Sequence, residues 1–286
     1  MTTVHLEARP QTFSRTRAVM RGVGHSLLSG LSAFIIVIAL WQIVILRIPR
    51  FFAKGPVDVF SYLFITEAGA DASQTAAAHR AILWPLLGAT LRDAAFGFVA
   101  GMLIAIILAL VFSLSATVRA AVMPLALLLR TVPLVAIAPV IILITGLGTT
   151  SSVAVIGSIV VLFPALAAIM FGLNQASPQS LDLVRVYGGS TWTALRKVKV
   201  PAALPSILSA ARVSVPGAMT GALLAEWLST GEGIGGMITK FSASARYDDL
   251  WASVATITIV TLILYNLVQL VENVVLARMG MRETLR

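Results

Sequence analysis

The sequence predicts an all-α, polytopic membrane protein with six transmembrane helices. Three observations support this fold class. Of the 286 residues, 58% are hydrophobic and only 12% are charged, whereas a soluble domain has about 25% charged residues. The mean hydropathy is +0.94. Uncharged apolar runs recur along the chain, and several reach the roughly 20 residues that a helix needs to cross the hydrocarbon core of a bilayer.

The N-terminal part of the chain contains one predicted span and a loop. Residues 1–26 are polar and basic and are expected to form a tail. The first transmembrane helix is expected at 27–46, and no small-residue cleavage site follows it closely, which favours a retained helix over a removed signal peptide. Residues 47–84 are expected to form an external loop with a short amphipathic helix in the membrane interface. The apolar residues with helical spacing in this loop are Val57, Phe60, Leu63 and Phe64.

Residues 85–276 are predicted to form one helical core with five further spans. Residues 131–181 contain no charged side chain and are too long for one span, so the turn-forming stretch GLGTTSS is expected to divide them. The predicted spans are 94–114, 123–145, 153–173, 206–228 and 250–271.

Six crossings place both chain ends on the same side of the membrane. The segments predicted on that side hold twelve Lys and Arg residues, against six on the other side. Because basic residues are more frequent in cytoplasmic loops, both termini, including the tail 277–286, are expected in the cytoplasm. This topology and the attraction to anionic lipid explain much of the net charge of +9 without a nucleic-acid partner. The absence of cysteine excludes disulfides and thiolate metal sites.

Five prolines lie in the predicted middle spans. Each one removes a backbone donor and is expected to kink its helix, and the freed carbonyls survive in a bilayer only where protein or water reaches them. A cluster of kinks therefore favours a lined cavity, although transmembrane helices also tolerate proline without one. These prolines are Pro124, Pro133, Pro139, Pro164 and Pro216.

The stretch 177–201 is more polar than the apolar runs around it, and it is predicted to form a hairpin of two short helices. Ser177 and Ser190 are expected to cap these helices, while Gly188 ends the first one in the left-handed conformation and lets the two approach closely. The second helix is expected to end before Pro201. A solvated connector that only sets topology is the alternative. The second helix is predicted to place Trp192, Leu195 and Val198 along one side, with Trp192 and Leu195 exposed. Its end is expected to carry Arg196, Lys197 and Lys199.

The stretch 177–201 also contains a sequence motif that is found in a known protein family. Permeases of bacterial ATP-binding cassette importers have Glu-Ala-Ala, three residues, Gly, nine residues and Ile-x-Leu-Pro. The sequence resembles this pattern as Asp182-Leu183-Val184, then Gly188, then Val198-Lys199-Val200-Pro201, with Asp for Glu and Leu-Val for Ala-Ala. The resemblance covers roughly residues 80–275. Three more segments, 130–151, 202–218 and 225–238, are similar to the nitrate, sulfonate and taurine branch of these permeases.

The resemblance implies the type I importer permease fold and a transport function in the bacterial inner (plasma) membrane. In such permeases the hairpin forms the coupling helices, which sit in a groove of a cytoplasmic ATPase. The implied partners are a second permease, expected to be an identical copy, two ATP-binding subunits and an external solute-binding protein. ATP and Mg²⁺ bind to the ATPase, so this chain is expected to have no cofactor and no enzymatic activity. The residues expected to couple to the ATPase are Asp182, Leu183, Val184, Tyr187, Gly188, Gly189, Trp192, Leu195, Arg196 and Pro201.

Three ionisable residues lie at predicted membrane depth, where a charge costs at least about 2.5 kcal/mol. Arg130 and Arg212 are expected either to reach the cytoplasmic interface or to face the pathway. Glu226, which precedes a glycine-rich segment, is expected either to belong to an external gate or to be a helix-end carboxylate bonded to nearby backbone. The candidate pathway or gate residues are Arg130, Pro133, Pro139, Glu226 and Trp227.

Two questions stay open at the level of sequence. The implied solute is a small anion such as a sulfonate, taurine or nitrate, but relatives that carry pyrimidine or flavin precursors share the scaffold. A secondary transporter or channel that works without an ATPase is the alternative class, since kinked helices and buried charges serve those proteins too. A membrane enzyme is disfavoured because His5, His25 and His79 lie outside the predicted spans.

Overall fold

The structure, a computed structural model, describes residue 32 and residues 34–66, 68–69 and 71–279, without the side chains of 125–127, 129 and 130. The predicted tail 1–26 and most of the predicted tail 277–286 lie outside the described residues. Every regular element in the described part is helical. The described part of the chain divides into two compact units, with the boundary between residues 60 and 61.

The first unit contains helix α1, Phe34–Ile45, and the start of helix α2, Pro56–Phe64. Gly55 N–H donates a hydrogen bond to Asp58 Oδ2 at 2.7 Å, which satisfies a backbone donor at the start of α2. Phe60 and Phe64 are exposed on α2, as the predicted interfacial helix requires, but Leu63 is buried. Leu63 is therefore not part of the exposed apolar surface of α2.

The second unit contains the remaining helices of the described part. They are α3 Ala76–Leu114, α4 Ala116–Thr131, α5 Leu134–Thr145, α6 Thr150–Asn174, α7 Pro178–Val186, α8 Thr191–Thr230, α9 Gly233–Ala243 and α10 Tyr247–Arg278. Among the described residues, four helices are long and apolar enough to cross a membrane: α3, α6, α8 and α10. Helices α1 and α5 are shorter apolar helices. The predicted count of six spans stays a prediction.

Helix α3 begins nine residues before the predicted core, whose first residue is 85. The Thr75 side chain accepts a hydrogen bond from Ala78 N–H at 3.2 Å and caps the helix. The alanine-rich end of the predicted loop is therefore the first turn of α3.

The predicted span 123–145 is not one helix. It is divided between α4 and α5, and the break falls at Val132 and Pro133. Val132 has an extended backbone, with φ −79° and ψ 124°, because the ring of a following proline disfavours the helical conformation. The apolar run alone did not predict this break.

Helix α8 continues through Pro201, so the predicted end of the second hairpin helix was wrong. The segment Leu195–Lys199 is π-helical, and Val200 N–H bonds to the carbonyl of Leu195. This wider turn directly precedes the proline, whose ring would clash with the carbonyl of residue 197 in a regular α-helix. A second π segment, Glu226–Thr230, ends α8.

Three glycines bring α3, α6 and α8 into backbone contact. A Cβ atom added to Gly97 would lie 2.8 Å from the Cα atom of Gly157, and one added to Gly221 would also lie 2.8 Å from that atom. Real Cβ atoms do not approach other atoms so closely, so larger residues would push the helices apart. These three helices therefore form a tightly packed centre of the second unit.

Candidate functional site

The hairpin 177–201 has the local structure that its sequence predicts. Ser177 Oγ accepts from Ser180 N–H at 3.4 Å, and Ser190 Oγ accepts from Thr193 N–H at 3.3 Å, so each helix is capped at its start. Gly188 has a φ of +73°, which confirms the left-handed end of α7. These caps fix the turn between α7 and α8.

The close approach in this turn is made by Gly189, not by Gly188. A Cβ atom added to Gly189 would lie 2.5 Å from Val184 Cγ1, whereas one added to Gly188 would meet nothing within 4 Å. Gly188 is therefore required for its backbone conformation and Gly189 for space.

The hairpin presents an apolar surface, formed by Leu183, Val186, Tyr187 and Trp192. Val186 and Tyr187 are each 83% exposed, and the other two are more than half exposed. Val186 was not among the predicted coupling residues, although a valine at the end of a short polar helix indicates an exposed apolar site. Leu195 was wrongly predicted to be exposed: it is 2% exposed, because continuous α8 turns it into the second unit.

The charged residues of the hairpin have different surroundings. Asp182 Oδ1 lies 3.1 Å from Arg185 Nη1, with both side chains exposed. Arg196 is exposed on the first π segment. Lys199, in contrast, donates from Nζ to Ser113 Oγ of α3 at 3.1 Å, so this cation joins two helices of the same chain.

The opposite end of α8 holds Glu226. Its distance from Trp192 along the helix is about 50 Å, at 1.5 Å per residue. Glu226 is fully buried. Its Oε2 atom lies 3.0 Å from Thr90 Oγ1 and accepts from Gly235 N–H at 2.8 Å. Among the described residues, Oε1 has no hydrogen-bond partner. The carboxylate thus bonds to nearby backbone, as one of the two predictions required, and its place in a gate stays a prediction.

The second π segment also holds the turn between α5 and α6. Ser229 Oγ lies 2.8 Å from Ser152 Oγ and accepts from Gly148 N–H at 3.1 Å. Trp227, two residues before Ser229, is about half exposed. The end of α8, the start of α6 and the preceding turn are therefore joined by side-chain hydrogen bonds.

The remaining predicted pathway residues are Arg130, Pro133 and Pro139. The Arg130 side chain lies outside the described residues. Pro133 is exposed at the break before α5, and Pro139 is exposed within α5. Arg212 does not depend on the membrane interface for a partner, because its Nε atom lies 3.3 Å from Glu272 Oε2 of α10. Glu272 was not among the predicted ionisable residues at membrane depth, because it directly follows the last predicted span, 250–271.

Comparison with known proteins identifies relatives over most of the chain. A probable ABC transporter permease protein of Haemophilus influenzae is 30% identical over 232 residues, which cover 80% of this chain and 89% of that protein. A formylaminopyrimidine transport permease protein of Halalkalibacterium halodurans is 28% identical and covers 66% of this chain and 76% of its own. The taurine transport system permease protein of Escherichia coli is 27% identical and covers 64% of this chain and 66% of its own.

A solved structure has the same fold. It is a bacterial ABC transporter involved in the import of the acidic polysaccharide alginate, and it aligns with a TM-score of 0.56 over 89% of this chain and 98% of that chain. The identity is 17%, so this likeness concerns the fold alone.

The description "binding-protein-dependent transport system inner membrane component" belongs to a family model that matches residues 97–281. This range includes both the hairpin and Glu226. The chain therefore belongs to this family, the inner-membrane permeases of type I ATP-binding cassette importers.

Proposed function

We propose that this chain forms half of the translocation pathway of an ATP-driven importer and that its hairpin docks into a cytoplasmic ATPase. The observation that carries the proposal is the apolar surface of Leu183, Val186, Tyr187 and Trp192 on a turn fixed by two helix caps. Exposed aromatic side chains on a rigid support are typical of the residues that dominate binding energy in interfaces.

The connection of the hairpin to α8 suits the transmission of movement. Helix α8 runs from Thr191 to Thr230 without a break, so a displacement of the docked hairpin acts directly on a membrane-spanning helix. The exposed Arg196 and Lys197 add positive charge beside the apolar surface, which favours an acidic rim on the partner and speeds association.

The complete transporter, in this proposal, contains two copies of this chain, two ATPase subunits and an external solute-binding protein. ATP and Mg²⁺ bind to the ATPase, and this chain has no cofactor and hydrolyses nothing. Both termini lie in the cytoplasm, as the distribution of basic residues favours. The family description supports the solute-binding protein as a partner.

The solute class that we propose is a small anion such as a sulfonate, taurine or nitrate. Similarity to the taurine permease of Escherichia coli supports it. Similarity to the formylaminopyrimidine permease supports a pyrimidine precursor as the alternative solute. A flavin precursor is a second alternative solute. Binding of taurine and of formylaminopyrimidine to the partner binding protein, measured by calorimetry, separates these solutes.

The docking proposal is tested by a charge placed in the apolar surface. Val186→Asp is expected to abolish co-purification with the ATPase and ATP-dependent uptake into proteoliposomes, because an aspartate there must be desolvated on docking. Ser180→Asp is the matched control, since it adds the same charge to an exposed position of α7. Solute uptake without ATP or an ATPase subunit would instead favour the secondary transporter or channel.

A further inference from the structure

Helix α9 is capped by side chains from two other helices. Its own N-cap residue, Glu232, makes no side-chain cap hydrogen bond. Instead, Ile234 N–H donates to Thr90 Oγ1 of α3 at 2.9 Å, and Gly235 N–H donates to Glu226 Oε2 of α8 at 2.8 Å. The first turn of a helix has backbone donors without intrahelical partners and a positive dipole end. A hydroxyl and a carboxylate are therefore favourable at this position.

The glycines of the segment 231–236 allow α9 to lie directly against this cap. Gly233 has a φ of +63°, and a Cβ atom there would lie 2.3 Å from Cδ of Glu226. A Cβ atom on Gly235 would lie 2.3 Å from the carbonyl oxygen of Leu223. Backbone therefore contacts backbone, and the position of α9 is closely determined by the end of α8.

The two helices that supply the cap are also joined near the hairpin. Lys199 of the first π segment bonds to Ser113 near the end of α3, while Glu226 of the second π segment bonds to Thr90 of the same helix. Between these contacts, Gly97 and Gly221 both lie against Gly157 of α6. Helices α3 and α8 are thus held together along their length.

We propose that Glu226 is a positioning residue which, together with Thr90, fixes α9 to the pair α3 and α8, so that displacement of the hairpin carries α9 with it. Helix α9 then moves together with the end of α8 that is remote from the hairpin. This role rests on the proposed function, because it needs a partner that moves the hairpin.

The test uses the permease purified together with its ATPase. Glu226→Ala removes the acceptor for Gly235 N–H, and Thr90→Val removes the acceptor for Ile234 N–H at nearly constant shape. Each is expected to lower the solute transported per ATP hydrolysed by about tenfold, the equivalent of one buried hydrogen bond. Glu226→Gln and Thr90→Ser keep the acceptor oxygens and are expected to stay within about twofold of the wild type.

The position of α9 is read out separately with a thiol. The chain has no cysteine, so Thr239→Cys on the exposed side of α9 is a unique reporter for maleimide labelling. Glu226→Ala and Thr90→Val are expected to change its labelling rate and to abolish its response to ATP, while Gln74→Cys, which precedes α3, stays unchanged. Glu226→Gln is expected to restore the wild-type pattern.

The outcomes separate this inference from the proposed function. The positioning role alone would be overturned if Glu226→Ala and Thr90→Val bind the ATPase and show unchanged transport per ATP and unchanged labelling. The same conclusion follows if Glu226→Gln behaves like Glu226→Ala, because the amide keeps the acceptor oxygen. Failure of the wild-type chain to bind any ATPase would overturn the proposed function.

Discussion

Arg212 of α8 and Glu272 of α10 form an ion pair inside the helical unit, with Nε and Oε2 3.3 Å apart. Both side chains are mostly buried, and the Arg212 guanidinium also lies 5.7 Å from the ring centroid of Tyr265. The pair therefore joins the helix that continues from the hairpin to the last helix of the chain.

Loss of one partner of this pair is expected to destabilise the protein. Glu272→Ala leaves a buried guanidinium without its anion, which costs about 3 kcal/mol, and should lower the apparent Tm measured in detergent. Asp182→Asn is the control, because it breaks an exposed pair that contributes less than about 1 kcal/mol. Equal Tm values for the two variants would show that the Arg212 pair adds nothing to stability.

Gly188 is expected to be replaceable only by residues that tolerate a positive φ. Its φ is +73° and an added Cβ atom meets nothing, so the effect of substitution is backbone strain alone. Gly188→Val should cost about 1–2 kcal/mol and reduce ATP-driven uptake roughly tenfold at equal membrane abundance. Gly188→Asn should retain most of the uptake, since Asn enters this conformation more readily. Wild-type uptake by the valine variant would contradict a docking role for this turn.

Trp192 and Leu195 are expected to differ in what they stabilise. Leu195 is buried, so Leu195→Ala should reduce the stability of the chain by about 2–5 kcal/mol, measured as a lower apparent Tm. Trp192 is exposed, so Trp192→Ala should leave Tm unchanged and weaken binding of the ATPase by at least about tenfold, the effect of losing an aromatic anchor. A large Tm decrease for Trp192→Ala would place that side chain in the fold instead of the interface.

Tyr62 of α2 should make the folding stability of the protein decrease at alkaline pH. Its hydroxyl donates to Asp249 Oδ1 at 2.8 Å, and burial, followed by this hydrogen bond, raises the pKa of Tyr62 above its usual value. The unfolded chain loses this proton at about pH 10, whereas the folded chain keeps it to a higher pH. The stabilisation by this group is therefore fully present below pH 10 and is lost as the pH rises above it.

The measurement is the apparent Tm between about pH 9 and 11. Tyr62→Phe should lower Tm at neutral pH, since Asp249 loses a donor, and should show a smaller further decrease above pH 10. Tyr187→Phe is the control, because Tyr187 is 83% exposed. An identical alkaline decrease in all three proteins would exclude Tyr62 as its cause.

Local signals in the sequence were sufficient for several elements. Ser177, Gly188 and Ser190 predicted the hairpin, because a helix cap and a left-handed stop involve residues only three or four positions apart. The long helices α6 and α10 followed from uncharged runs of sufficient length. Local signals could not predict that the helix is interrupted at Pro133 but continues through Pro201. A proline can be accommodated either by an interruption of the helix or by a wider helical turn.

By itself, the sequence determined that the chain is a helical membrane protein with a polar, capped hairpin, because composition and short-range spacing act on the chain before it folds. Only the tertiary structure decided that Leu195 is internal, that Arg212 has Glu272 as its partner, and that Thr90 and Glu226 together cap α9. Thr90 and Glu226 are 136 residues apart in the chain. The energy of such contacts depends on how whole helices pack, so it cannot be predicted from a local pattern of residue types.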